Sequence, residues 1–181
     1  MVTHVTYVAL LRGINVGRAK RVAMADLRAL VSALGYRDVR TLLNSGNVVF
    51  AGPRAQPSSI AEAIEAALTS RLGVAAKVIV LTASELAAAA AANPLPSAGT
   101  NPSRLLLAVP ANPKDTGRLR PLLTEEWSPE AFAVGPRAAY LWCPDGVIAS
   151  RIAAAVGRAL ADAVTMRNWA TVGKLVELSG G

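Results

Sequence analysis

The sequence has little of what most catalytic centres are built from. It holds one cysteine, Cys143, and one histidine, His4, in 181 residues. A single cysteine excludes an internal disulfide framework. The same scarcity argues against a conventional zinc site and against Cys–His or Ser–His–Asp catalysis. We therefore expect no metal and no cofactor. No catalytic residue is singled out, so the sequence leaves open whether the protein is an enzyme.

Aromatic residues and long apolar runs are also scarce. Aromatic residues make up 4% of the chain, and neither half has the paired Phe/Tyr strand motif of an RNA-recognition module. Base stacking on a sheet is therefore not expected. The longest unbroken apolar run, residues 86–92, is too short to span a bilayer. The first residues lack the basic segment of a secretory signal. We expect a cytoplasmic protein with no membrane partner.

The charge of the chain is unevenly distributed. Hydrophobic residues make up 52% and charged residues 17%, as in a globular protein. Residues 1–81 carry ten Lys/Arg against four Asp/Glu, a net +6, whereas residues 82–181 carry nine against eight, a net +1. A basic field confined to one half raises the local concentration of anions. Fifteen of the nineteen basic residues are Arg, whose fork suits phosphates and carboxylates, although codon bias produces the same composition.

The apolar periodicities predict the order βαββαβ in both halves of the chain. Residues 4–11 are apolar on both faces, as in a central strand. The predicted elements of the first half are strands at 4–11, 38–43, 48–51 and 76–81 and helices at 24–34 and 59–72. Ser59 with Glu62 and Thr82 with Glu85 are candidate capping boxes, the second beginning an extra helix that ends near residue 93. Gly52-Pro53 is expected to end the third strand.

The second half repeats this order. Its predicted elements are strands at 104–109, 131–134, 138–143 and 163–166 and helices at 115–123, 147–160 and 168–178. The predicted fold class is α+β, with two ferredoxin-like units in tandem, each an antiparallel sheet with helices on one face. The units are expected at residues 1–93 and 103–181. A linker rich in Pro, Gly and polar residues, at 94–102, separates them.

The βαββαβ order predicts that the loop at 12–21 and the turn at 44–47 meet at one edge. The end of strand one, the start of helix one and the hairpin between strands two and three share that edge. Helix-start amides favour anions, glycines let a ligand approach the backbone, and Arg and Lys donate to phosphates. The ligand-binding candidates at this edge are Arg12, Gly13, Asn15, Gly17, Lys20, Arg21, Asn44, Ser45 and Asn47.

These residues also have a purely structural explanation. Gly13 and Gly17 suit a sharp turn with Asn15 in the left-handed region, and Asn-Ser-Gly-Asn is typical of a plain hairpin turn. The glycine spacing is neither a Walker loop nor a Gly-x-Gly-x-x-Gly fingerprint. The ligand-binding and the structural explanations both stay open on the sequence.

A second unusual stretch is TMRNWATVGKL at residues 165–175. Trp169, Val172 and Leu175 share a helix face, which favours a core position for Trp169. Arg167 and Asn168 can present a polar cluster, and they complete the set of ligand-binding candidates. Whether this cluster meets the loop at 12–21 depends on how the units dock, which the sequence does not determine.

Three motifs, LLRGINVG, LLNSGNVVF and TMRNWATVGKL, together resemble a bacterial family catalogued as domain of unknown function 1697. The resemblance covers essentially the whole chain and implies a pair of ferredoxin-like units but no reaction. The positions that match the family pattern are Arg12, Gly13, Asn15, Gly17, Ser45, Gly46, Asn47, Arg167, Asn168 and Trp169. The family usually has Gly, Gln and Asn where Arg18, Asn44 and Ala170 stand. Arg18 and Ala170 are thus poor candidates for direct roles, and Asn44 is shorter in reach than Gln.

The function that we expect is binding of an anionic ligand at the edge of the first unit. A nucleotide, a phosphorylated metabolite and a nucleic-acid backbone all fit this expectation. One alternative is an enzyme on a small polar substrate, with Arg12 and Arg167 as electrostatic stabilisers and Asn15 and Asn47 as orienting groups. The other is a protein–protein interaction module. The sequence indicates no oligomeric state.

Overall fold

Two four-stranded antiparallel sheets, accompanied by helices, form the framework of this α+β chain. The computed structural model describes residues 3–18, 20–95 and 100–180. The chain divides into two compact units, Met1–Leu86 with Leu175–Gly181, and Ala87–Lys174. The predicted linker at 94–102 includes residues 96–99, which lie outside the described residues. The predicted bounds of 1–93 and 103–181 therefore remain a prediction.

The first sheet is built around its first strand. The elements are β1 (His4–Arg12), α1 (Met24–Ala33), β2 (Arg37–Leu42), β3 (Asn47–Pro53), α2 (Pro57–Leu72) and β4 (Lys77–Thr82). The antiparallel order is β2-β3-β1-β4, so β1 lies between β3 and β4. Tyr7, Ala9 and Leu11 join α1 and α2 in the core, while Val8 and Leu10 are equally buried on the opposite face. Burial on both faces confirms the prediction of a central strand.

The helix α3 (Ala83–Ala91) follows β4 and begins with the second predicted capping box. The Thr82 amide donates to Glu85 Oε2 at 2.8 Å, and the Glu85 amide donates to Thr82 Oγ1 at 3.1 Å. Two amides that a helix start leaves without intrahelical partners are thereby satisfied. The other candidate box does not form. The helix α2 begins at Pro57, two residues before Ser59, because proline suits the first helical position.

The second sheet repeats the arrangement of the first. Its unit contains β5 (Leu105–Pro110), a 3₁₀ segment (Pro113–Thr124), β6 (Ala131–Val134), β7 (Ala139–Trp142), α4 (Arg151–Leu160), β8 (Val164–Asn168) and the start of α5 (Trp169–Leu178). The antiparallel order is β6-β7-β5-β8. Leu106 and Ala108 of β5 form a core with Leu119 of the 3₁₀ segment and with Ile152 and Val156 of α4.

The structure corrects three further local predictions. The helix expected at 115–123 is 3₁₀, because Pro121 inside it has no N–H to donate and clashes with an α-helical turn. The helix expected at 147–160 starts only at Arg151, since Ser150 is the N-cap and its Oγ accepts from the Ala153 amide at 3.0 Å. The strand β3 does not end at Gly52 but continues through Pro53, which is opposite His4.

Candidate functional site

The loop after β1 is closed by the side chain of Asn15. Asn15 has φ +54°, in the left-handed region, and its backbone N–H donates to the Lys20 carbonyl across the loop at 3.0 Å. Asn15 Nδ2 donates to the Val22 carbonyl at 2.8 Å, and the Val22 amide donates to Asn15 Oδ1 at 2.9 Å. One side chain therefore satisfies both backbone groups of Val22, as a neighbouring strand would.

The same side chain joins this loop to the β2–β3 turn. Asn15 Nδ2 donates to the Asn44 carbonyl at 2.8 Å, and the Leu11 amide donates to the Gly46 carbonyl at 2.8 Å. A Cβ at Gly46 would lie 2.7 Å from Leu11 Cβ and 2.8 Å from Ile14 Cδ1, so only glycine allows this approach. The predicted juxtaposition of the two loops is confirmed. We call residues 12–18, 20–21 and 43–46 the basic rim.

The turn itself is held by Asn47, which is completely buried. Asn47 Nδ2 donates to the Leu42 carbonyl at 2.8 Å and to Ser45 Oγ at 3.0 Å. An amide nitrogen has two hydrogens, and both are used inside the protein. Asn44 and Ser45 are exposed on the turn. The structure thus places Asn44 and Ser45 where a ligand can reach them, and it places Asn47 beneath them.

The basic side chains of the rim point away from the core. Arg12, Arg18, Lys20 and Arg21 are all exposed. Neither Lys20 nor Arg21 forms a side-chain ion pair or hydrogen bond with another described residue. The rim contains no Asp, Glu, His or Cys. Its chemistry is therefore electrostatic binding through cations and amides.

The start of α1 adjoins the rim and adds backbone donors. Its N-cap, Ala23, has no side chain able to cap, so no side-chain oxygen accepts from the first-turn amides. The helix dipole makes this end partially positive. Asp26 lies in the first turn and offsets part of that charge.

Two exposed apolar side chains, which the sequence reasoning missed, also belong to the rim. Val16 is 71% exposed and Leu43 is 52% exposed, one on each loop. Leu43 also has φ +59°, a conformation that is costly for a side chain of its size. The available sequence signal was the position of Val16 between Asn15 and Gly17, where an apolar residue continues neither a strand nor a helix pattern.

Arg167 and Asn168 lie in the second unit, at the end of β8. Arg167 Nη1 donates to Thr165 Oγ1 at 2.8 Å and to the Met166 carbonyl at 3.0 Å. Burial lowers the pKa of Arg167 to about 10. Asn168 Oδ1 accepts from the Thr171 amide at 2.9 Å and so caps α5.

Cys143 lies in the interior of the second unit, whereas Trp169 is only partly buried there. The Cys143 thiol is buried and donates to Ser150 Oγ at 3.2 Å, and burial raises its pKa. A raised pKa leaves little of the nucleophilic thiolate. Trp169 is half-buried, with its ring centroid 6.4 Å from that of Tyr140.

The described residues contain neither a metal-binding cluster nor a membrane-spanning helix. Among residues 3–18, 20–95 and 100–180, no group of three or more His, Cys, Asp or Glu side chains is arranged to hold a metal ion. In that part of the chain, every helix is too short or too polar to cross a bilayer.

The fold and the rim together define an α+β protein with two four-stranded antiparallel sheets and an exposed basic loop edge on the first unit. The chain belongs to the family described as protein of unknown function (DUF1697), whose model matches residues 5–140. That range contains the first two motifs, and the third motif, at 165–175, lies beyond it.

One solved structure similar to this chain is that of the conserved bacterial protein SP0830 from Streptococcus pneumoniae. The likeness has a TM-score of 0.75 at 19% sequence identity, and it covers 97% of this chain and 99% of that one. At this identity the likeness shows the fold alone. No curated protein matches the chain.

Proposed function

We propose that the basic rim binds an anionic ligand, namely a nucleotide, a phosphorylated metabolite or a nucleic-acid backbone. The observation that carries this proposal is a pinned loop with unpaired cations. Asn15 fixes both the loop and the turn beside it, while the side chains of Lys20 and Arg21 are exposed and form no ion pair or hydrogen bond with a described residue. A preorganised backbone that presents free cations lowers the entropy lost when an anion binds.

The residues of the rim take different parts in this proposal. Lys20 and Arg21 supply charge, and the exposed Asn44 and Ser45 supply neutral hydrogen bonds. Asn15 and Asn47 shape the backbone rather than contact the ligand, because their amide N–H groups already donate within the protein.

We also infer that each unit is ferredoxin-like. The strand orders β2-β3-β1-β4 and β6-β7-β5-β8 support this assignment. So does the shared core of α1 and α2 against one face of the first sheet. This topology carries the end of β1 and the β2–β3 turn to one edge.

Binding of soluble anions by charge-matched variants tests the proposal. The probes are inorganic phosphate, adenosine triphosphate and a single-stranded oligonucleotide. Lys20→Gln/Arg21→Gln removes two rim cations, and Arg37→Gln/Arg54→Gln removes two exposed cations outside the rim. We expect the rim variant to bind at least one probe about tenfold or more weakly, while the control stays close to wild type, since charge-assisted hydrogen bonds are worth about 1.5–3 kcal/mol. Equal weakening by both pairs would refute a localised site.

The salt dependence of affinity separates the ligand classes. A nucleic-acid backbone should give a steep linear fall of log K with log salt, with a slope close to the number of phosphates contacted. A small phosphorylated metabolite should give a shallow fall.

Val16 and Leu43 favour one second candidate, a protein–protein interaction module. Exposed apolar anchors beside arginines are typical of interface cores. Val16→Ser/Leu43→Ser should then reduce the size of a co-purified complex in gel filtration and leave anion binding unchanged. Under the anion proposal alone, neither quantity should change.

A further inference from the structure

The sheet of the first unit holds a hollow whose lining contains no residue of the basic rim. Its volume is about 460 Å³, and Thr6, Asp38, Arg40, Val49 and Ala51 contribute to its lining. Small-molecule sites commonly enclose about 300–1,000 Å³. The hollow is therefore large enough for a small metabolite, and its lining combines an acid, a base, a hydroxyl and small apolar side chains.

A β-bulge in β2 brings Arg40 to this face. Arg37 is opposite Ala51, but Arg40 rather than Val39 is opposite Val49. Directly opposed residues of an antiparallel pair point to the same face of the sheet. Without the extra residue, Arg40 would point to the helix-covered face. Instead Val39 packs against that core and Arg40 shares a face with Val49. Bulges commonly re-aim a side chain beside a binding site.

Asp38 absorbs the extra residue at a conformational cost. Its φ of +52° lies in the left-handed region, which is uncommon for residues other than glycine. Non-glycine residues held in this region cluster at functional sites.

The two charged groups of the hollow remain available. The side chains of Asp38 and Arg40 form no ion pair or hydrogen bond with each other or with any other described residue. The two side chains carry opposite charges and do not neutralise each other. The hollow therefore suits a ligand that carries both a positive and a negative group. A dianion would be repelled by Asp38 and a dication by Arg40.

We propose that this hollow binds a free α-amino acid. The ligand carboxylate pairs with the Arg40 guanidinium, whose fork matches carboxylate geometry. The ligand ammonium pairs with the Asp38 carboxylate, and the Thr6 hydroxyl is a further hydrogen-bonding group in the lining. The small side chains of Val49 and Ala51 leave space beside these groups. The site is independent of anion binding at the rim.

Calorimetric titration of the full chain with each of the twenty standard amino acids tests the proposal. Asp38→Asn and Arg40→Gln each remove one charge, and asparagine tolerates a left-handed φ well, so the backbone is retained. Arg54→Gln is the matched control, because Arg54 is exposed and does not line the hollow. We expect at least one amino acid to bind wild type and the control alike. Its affinity should fall by about tenfold or more in each hollow variant, as loss of a charge-assisted hydrogen bond requires.

Ligand analogues provide a second readout on the wild-type protein, which does not depend on the folding of any variant. The amide of the bound amino acid lacks the carboxylate, and the corresponding amine lacks the whole carboxyl group. Both should bind about tenfold or more weakly than the parent. The proposal is overturned if no amino acid binds, if binding survives both substitutions, or if the analogues bind as well as the parent.

The rim variant and the hollow variants distinguish a failure of the amino-acid proposal from a failure of the anion proposal. Lys20→Gln/Arg21→Gln should leave amino-acid binding unchanged, and Asp38→Asn should leave phosphate binding unchanged. A result in which the rim variant abolishes amino-acid binding would also overturn the assignment to the hollow.

Discussion

Gly46 is the point of closest approach between the two loops of the rim. Its φ is +85°, and the space where a side chain would begin is already occupied by Leu11 and Ile14. Gly73, at the end of α2, has a similar φ of +64° but open space around it. Both glycines therefore have a left-handed backbone, but only Gly46 also lacks space for a side chain.

Gly46→Ala is expected to destabilise the protein more than Gly73→Ala. Both substitutions incur the strain of a left-handed alanine, about 1 kcal/mol. Only alanine at position 46 also overpacks the interior, which typically costs a further 1–3 kcal/mol or so. The free energies of unfolding from urea titration measure the difference. Equal costs would mean that the loops separate freely and that the rim is not pinned.

The Cys143 thiol gives the protein a stability loss at alkaline pH. Burial raises its pKa in the folded state above the ordinary value of 9.0. Above that ordinary pKa the unfolded chain loses the thiol proton while the folded chain retains it, so stability falls as pH rises.

Cys143→Ala should remove this part of the pH dependence. The free energy of unfolding of wild type, measured relative to the variant by urea titration, should decrease above pH 9 by up to about 1.4 kcal/mol per pH unit. Tyr36 and Tyr140 also have raised pKa values, but they are present in both proteins and cancel. A constant difference from pH 7 to 10 would show that Cys143 titrates normally in the folded state.

At the scale of elements, the two candidate capping boxes differ, because the box at Thr82 forms and the box at Ser59 does not. Thr82 accepts a hydrogen bond from the Glu85 amide, whereas Ser59 lies inside α2 behind Pro57. Thr82→Ala should therefore cost about 1 kcal/mol of stability, and Ser59→Ala less than about 0.5 kcal/mol. Thermal melts of the two variants test this contrast. A larger loss for Ser59→Ala would contradict the observed start of α2.

The strands and α-helices were predictable because their apolar residues repeat with the right period. The 3₁₀ segment was not, since Leu119 and Leu122 are three residues apart and that spacing suits both an α-helix and a 3₁₀ helix. Pro121 was the signal that decides between the two, because proline excludes an α-helical interior. The bulge of β2 was also invisible, because its left-handed residue is Asp38 rather than a glycine.

The neighbourhood of the two rim loops was predictable from topology, but the direction of each side chain was not. Asparagine is favoured in a turn whether its amide points to solvent or into the protein. Asn44 is exposed and Asn47 is buried, although they stand three positions apart in the same turn. The β1–β3 pairing, which sets Asn47 opposite Leu10, determines that Asn47 rather than Asn44 is buried.

At the scale of the whole molecule, the excess charge of the first half should make stability depend on the anion present. Sulfate stabilises proteins generally by exclusion from their surface, and it stabilises further where it binds the folded state. Wild type should melt at a higher temperature in sodium sulfate than in sodium chloride of equal ionic strength.

The same variants separate the two effects of sulfate. Lys20→Gln/Arg21→Gln should lose part of the difference between the salts, and Arg37→Gln/Arg54→Gln, which changes the net charge equally, should keep it. Differential scanning fluorimetry provides the measurement. If both variants respond to sulfate like wild type, the ion acts by exclusion alone and the rim has no measurable affinity for it.

The two hydrogen bonds between the Asn15 side chain and the Val22 backbone have an evolutionary consequence. Because that pair closes the chain before α1 begins, the segment between them is anchored independently of the strand and the helix. Substitutions in that segment are then expected to leave the sheet undisturbed. Diversification of specificity on this scaffold would begin in those six residues.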